Sequence, residues 1–101
     1  MQIKKINFGE VKKIGNDFLY WNEPLLEISL PEVITIGDFF CFSNESLRAI
    51  NFPNLKAVGY KFFTYNICLQ EISLPELNAV GMSFLSYCHS RDALELRRRY
   101  C

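Results

Sequence analysis

His89 is the single histidine of a 101-residue chain, and it directly follows Cys88. A thiol beside an imidazole is the first arrangement to test for nucleophilic catalysis. Neighbours in sequence rarely turn their side chains on one another, and no acid stands at a spacing that would orient the ring. The chain has no GxSxG, no phosphate-cradling GxxxxGK[ST] loop and no HExxH. Cys41, Cys68, Cys88 and Cys101 lie 27, 20 and 13 residues apart, without a CxxC pair. That spacing speaks against a zinc site and against a disulfide framework. Unpaired, space-filling thiols are the expectation, with a lean towards a reducing compartment. No aspartate-rich loop gathers oxygens for calcium. The chain is therefore expected to be no enzyme and to hold no metal or cofactor.

The remaining polar and aromatic candidates make sense only within a repeat. Shifting the sequence by 22 residues aligns Ile3–Pro24, Leu25–Ser46, Leu47–Cys68 and Leu69–Ser90 without insertion or deletion. The first column holds Ile3, Leu25, Leu47 and Leu69, and the fourth holds Ile6, Ile28, Ile50 and Ile72. Further apolar columns are Phe8/Leu30/Phe52/Leu74, Val11/Val33/Leu55/Leu77 and Ile14/Ile36/Val58/Val80. Gly15, Gly37, Gly59 and Gly81 follow, then Phe18, Phe40, Phe62 and Phe84. A unit this short cannot bury its apolar positions alone, so it must stack on its neighbours.

Within each unit, Ile28 and Leu30 alternate with Ser29, the period-two signature of a short strand. Pro31, Pro53 and Pro75 end it, because proline donates no ladder hydrogen bond. Val33–Gly37 and its equivalents fit a second short extended piece. The glycine column implies positive φ or close backbone packing. Asp38–Ser43 and its equivalents have the spacing of a helical turn. Asn22, Asn44 and Asn66 are expected to form a ladder that satisfies buried turn backbone, with Cys88 in the fourth place.

This unit, LxxIxLPxLxxVGxxFLxxNxx, resembles the BspA-type leucine-rich repeat, whose unit is about 23 residues long. Leu47, Ile50, Phe52-Pro53, Leu55, Val58-Gly59, Phe62-Phe63 and Asn66 carry the resemblance, with their counterparts 22 residues before and after. Each copy is one residue shorter than the family's. The resemblance implies a β-rich, right-handed solenoid with a parallel concave sheet and short helical or irregular convex turns. It also implies a protein-binding role, often on bacterial surfaces, and brings no catalytic residues. A structural spacer or stalk without its own ligand is the alternative.

On that reading residues 1–90 form the repeat domain, and 91–101 are a non-repeat tail or cap in which Ala93, Leu94 and Leu96 cover the last unit while Arg97–Arg99 stay in water. The concave surface would offer Lys5, Glu27, Ser29, Asn51, Glu71 and Ser73. Trp21, Tyr65 and Tyr87 share a column with Ser43; such aromatic side chains suit interfaces, with packing on the convex side of the coils as the alternative reading. The partner would be a protein, with self-association through open ends as a second route.

Composition agrees with a folded domain: 50% hydrophobic, 15% aromatic, and eleven basic residues against eleven acidic ones. Disorder is excluded on that basis, and zero net charge removes the global argument for nucleic acid. No apolar run is long enough for a membrane-spanning helix. Met1–Phe8 shows neither an apolar h-region nor a small-residue cleavage site, so no secretory signal is expected within the chain. Cysteine usage leans to the cytoplasm, whereas the family resemblance implies the cell surface or secretion if the chain is a fragment of a longer array.

Overall fold

The computed structural model describes residues 3–19 and 25–101. In chain order the elements are β1 (Lys5–Asn7), β2 (Lys13–Ile14), β3 (Glu27–Ser29), β4 (Thr35–Ile36), β5 (Ala49–Asn51), β6 (Ala57–Val58), β7 (Glu71–Ser73) and α1 (Arg91–Tyr100). All strand pairs are parallel and all are offset by one repeat: Ile6 faces Ile28, Ile14 faces Ile36, Ile36 faces Val58 and Ile50 faces Ile72. Each column thus stacks on itself. The middle residue of β1, β3, β5 and β7 is buried between two exposed ones, as the alternation predicts.

The core is the set of apolar columns. Leu25, Leu47 and Leu69 are fully buried, as are Leu30, Phe52, Val33 and Leu55. Phe18, Phe40, Phe62 and Phe84 form a ladder of near-parallel rings, with successive centroids 6.1, 5.9 and 5.8 Å apart. Burial is lower in the first repeat, where Ile3, Phe8 and Phe18 are half-buried and Val11 is exposed.

Two features differ from the sequence expectation, and one decides between its alternatives. The sheet is interrupted: β1–β3 and β5–β7 are separate two-stranded sheets, whereas β2–β4–β6 is continuous. Strands of three residues share few ladder bonds, so a small separation at one junction removes them, although β3 still lies against β5. Second, no glycine has positive φ. Close packing, the other expectation for the column, holds at Gly37, Gly59 and Gly81, whereas a Cβ on Gly15 meets nothing within 4 Å. A Cβ on Gly37 would meet Asn16 Oδ1, one on Gly59 would meet Asp38 Oδ1, and one on Gly81 would lie 2.6 Å from the Gly59 carbonyl carbon.

Third, the segment after the glycine is not helical. It alternates into the left-handed region at Phe39, Cys41 and Ser43, at Lys61, Phe63 and Tyr65, and at Ser83, Leu85 and Tyr87. Left-handed backbone costs a non-glycine residue about 1–2 kcal/mol. Hydrogen bonds between repeats offset that strain. Cys41, Phe63 and Leu85 donate backward to the carbonyls of Phe18, Phe40 and Phe62, each at 3.0 Å. Phe39 and Lys61 donate forward to Tyr60 and Met82, and Ser43 and Tyr65 to Thr64 and Ser86. Glycine would relax the backbone, but Leu19, Cys41, Phe63 and Leu85 are buried here and fill the core.

Helix α1 starts at Ser90, whose hydroxyl accepts from the Ala93 N–H at 3.2 Å. Asp92 in its first turn and Arg97–Arg99 in its last suit the helix dipole. Ala93 is buried and Leu96 and Tyr100 pack against the core, whereas Leu94 points to solvent. Polar side chains complete the junction. The Ile72 N–H donates to Asp92 Oδ2 at 2.9 Å, and Tyr100 donates to the Leu77 carbonyl at 2.6 Å. Arg97 does not stay in water: its guanidinium donates to the carbonyls of Leu85 and Cys88.

Candidate binding surface

The outward residues of β1, β3, β5 and β7 form one polar face. Strand register sets Lys5 beside Glu27, Ala49 beside Glu71, Asn7 beside Ser29 and Asn51 beside Ser73. A depression of about 740 Å³ crosses the interrupted junction and is lined by Lys5, Glu27, Ser29, Arg48 and Ala49, among others. A second, of about 520 Å³, continues from Ala49 past Asn51, Glu71 and Ser73 to Asp92. Ala49, the smallest side chain of its column, is common to both. Charge along the face therefore alternates from repeat to repeat, Lys5, Glu27, Arg48 and Glu71, with Asp92 beyond.

The structure brings together Lys5, Glu27, Ser29, Asn51, Glu71 and Ser73 in this way. Arg48 and Asp92 are additions. Arg48 sits one residue before its strand, in a column whose other members, Lys4, Leu26 and Gln70, share no one chemistry. Asp92 belongs to the tail, and nothing in its local sequence announces contact with Ile72.

Tyr65 and Tyr87 line neither depression. Their rings stack at 4.3 Å and 3° from parallel, and Phe42 meets Tyr65 edge-on at 5.4 Å. Lys61 stands over the rings of Phe39 and Phe42 at 5.4 and 5.8 Å. The Tyr65 phenol is held above its ordinary pKa, first by its hydrogen bond to Tyr87. Trp21 and Asn22 lie outside the described residues.

Asn44 and Asn66 are buried and bonded as a turn-satisfying ladder requires. Asn44 Oδ1 accepts from the N–H groups of Ser46 and Leu47, at 2.8 and 3.0 Å. Asn66 Nδ2 donates to the Cys41 carbonyl at 2.7 Å, and one repeat later the Cys88 thiol donates to the Phe63 carbonyl at 3.0 Å. Cysteine here substitutes for the asparagine donor. Burial, the largest cause, pushes the Cys88 thiol up to about 11, and it pushes Cys41 up further. A thiol held protonated is a poor nucleophile. His89 is exposed beside it.

All four cysteines are free, with Cys41 and Cys88 buried. Free thiols in the fold do not indicate the surrounding redox poise. The lean towards a reducing compartment thus has no support. Among the described residues no group of three or more His, Cys, Asp or Glu could hold a metal ion, and no helix is long and apolar enough to cross a membrane.

Parallel short strands, a one-repeat register and stacked aliphatic and phenylalanine columns define a leucine-rich-repeat class of protein. Residues 1–97 match the family model described as "BspA type Leucine rich repeat region (6 copies)", and the chain belongs to that family. No curated protein and no solved structure matches it. Membership points to a repeat or protein-interaction module in general, to a family generally without enzymatic activity, and to surface or secreted proteins.

Proposed function

We propose that residues 1–90 form a right-handed solenoid that docks a protein partner on its concave strand face, with residues 91–101 as the cap. The observation that carries this reading is the continuous exposed row of Lys5, Glu27, Ser29, Asn51, Glu71 and Ser73 above paired depressions. Fixed strands present these side chains at set spacing, so little ordering entropy is lost on docking. Charge alternates along the row and around Arg48, which would set the register of a partner carrying the complementary alternation. A place in a bacterial surface or host-interaction protein fits the family. Self-association through the ends is disfavoured in this reading. Lys4, Lys5, Lys12 and Lys13 stand exposed along the first repeat, and edge lysines oppose strand pairing between copies.

The test uses a partner isolated with the intact chain. Glu27→Lys with Glu71→Lys should weaken its binding about tenfold or more, equivalent to about 1.4 kcal/mol. Glu76→Lys, outside the row, should leave it unchanged. Equal effects from both variants would reject the strand face. Failure of any partner to depend on it would favour a spacer.

A further inference from the structure

We propose that Tyr65 and Tyr87 form an oxidative cross-linking site, closing to an intramolecular dityrosine when a peroxidase and hydrogen peroxide supply one-electron oxidation. This goes beyond partner docking and does not rest on it.

Three observations converge. The two rings are the closest aromatic pair among the described residues, at 4.3 Å and 3°. Both are open to an oxidant, with 41% and 55% of their surfaces exposed. They hold the same place in successive repeats, and a backbone bond from the Tyr65 N–H to the Ser86 carbonyl at 2.9 Å fixes their separation. The other described tyrosines differ. Tyr60 is exposed, but its N–H bond to Asp38 sets it in the column of Asn16 and Met82, away from this stack. Tyr100 is half-buried against Phe84 and donates its hydroxyl to Leu77.

The chemistry balances. Each phenol loses one electron and one proton, giving two phenoxyl radicals. They join through carbons ortho to the hydroxyls, forming one C–C bond. The two displaced ring hydrogens leave as protons, and two protons return to the phenoxyl oxygens as aromaticity is restored. Hydrogen peroxide takes up the two electrons and two protons and becomes two waters. Stacking favours coupling within the chain, because contact replaces a diffusive encounter between micromolar molecules by an effective concentration of roughly millimolar or more. The product would join repeats three and four by a bond that thiols cannot reduce.

The full chain is treated with horseradish-type peroxidase and peroxide at micromolar concentration. Met82 and Cys101, both exposed, are oxidised alongside, so total mass is not the readout. Dityrosine fluorescence and a cross-linked peptide containing Tyr65 and Tyr87, lighter by two hydrogens, are measured on the monomer. Tyr65→Phe and Tyr87→Phe should each abolish that peptide while keeping the ring stack, and Tyr60→Phe should retain it. The oxidised monomer should also show a raised Tm. Coupling found mainly between chains, a cross-link mapped to another tyrosine, or undiminished monomer fluorescence in Tyr87→Phe would overturn the proposal.

Discussion

The strand side and the turn side of each repeat solve one problem by opposite means. Both must pair backbone with a neighbour 22 residues away while sending alternate side chains inward. On the strand side, ordinary extended backbone does this, and Ile6, Ile28, Ile50 and Ile72 enter the core without strain. On the turn side the chain must curve as it pairs. It does so by alternating into left-handed φ at non-glycine residues, with Cys41, Phe63 and Leu85 bonded back to the previous repeat. The strand side is held by burial at low backbone cost. The turn side accepts strain so that bulky side chains can close the core.

Substitutions can break this contrast, starting with its strongest element. Ile50→Ala removes a buried strand-side residue and should cost about 2–5 kcal/mol in urea denaturation. Ser29→Ala, exposed on β3, should change stability by under about 0.5 kcal/mol. Equal costs would mean that the strand alternation is misassigned.

Next comes a turn-side effect that depends on pH. The folded Cys88 thiol titrates near 11 against an ordinary value of 9.0. Its folded value is the raised one, so below about pH 9 it is protonated in both states and costs nothing. As pH rises from 9 to 11 the unfolded chain ionises first, and stability falls by about 2–3 kcal/mol at most. Cys88→Ser keeps a donor for the Phe63 carbonyl and should flatten part of that alkaline decline. An unchanged slope would show that the thiol ionises freely in the folded chain.

Gly59→Ala tests the close approach between neighbouring repeats, where strand side passes into turn side. Its Cβ would lie 2.9 Å from the Asp38 nitrogen and the Gly37 carbonyl carbon, backbone atoms that cannot step aside. A loss of about 1–3 kcal/mol is expected from such overpacking. Gly15→Ala meets nothing within 4 Å and should be neutral, or stabilising by about 0.4–1 kcal/mol. A matching loss at Gly15 would remove packing as the reason for the column. The smallest effect is relief of turn strain. Ser83 is exposed with φ of 62°, so Ser83→Gly should gain about 0.5 kcal/mol, the strain relieved less glycine's extra unfolded entropy. Calorimetry showing a loss would mean that the turn is not strained.

The same contrast explains what could be read from sequence. Strand-side order follows from local chemistry: Ile28 and Leu30 alternate with Ser29, and Pro31 stops the run. A 22-residue recurrence then fixes which residues meet. Turn-side backbone is invisible to that logic, because Phe39, Cys41 and Ser43 adopt φ values that only the neighbouring repeats make tolerable. Adjacent apolar residues there mimic a helical turn. The glycine column was legible as a constraint, yet only geometry separates close packing from positive φ. The polar strand face was legible by position, whereas Arg97 and Asp92 enter through tertiary contacts that no spacing announces. Asn44 and Asn66 stood out because amides recurring at one place in an apolar stack need partners.

Registration between repeats also constrains how such a sequence can change in length. Strand pairs join residues 22 apart, and the glycine and left-handed-turn bonds reach the neighbouring repeat at 21 or 23. One residue inserted into a single repeat would displace every later pairing in that copy. Only the far side of the turn, or the junction where β3 and β5 are unladdered, offers slack to absorb it. Length is therefore inherited collectively, and drift in one copy is penalised by both neighbours. That rule accounts for a unit one residue shorter than its family's in every copy at once. A repeat array of this kind changes size by gaining or losing whole units, or by a change made in all of them.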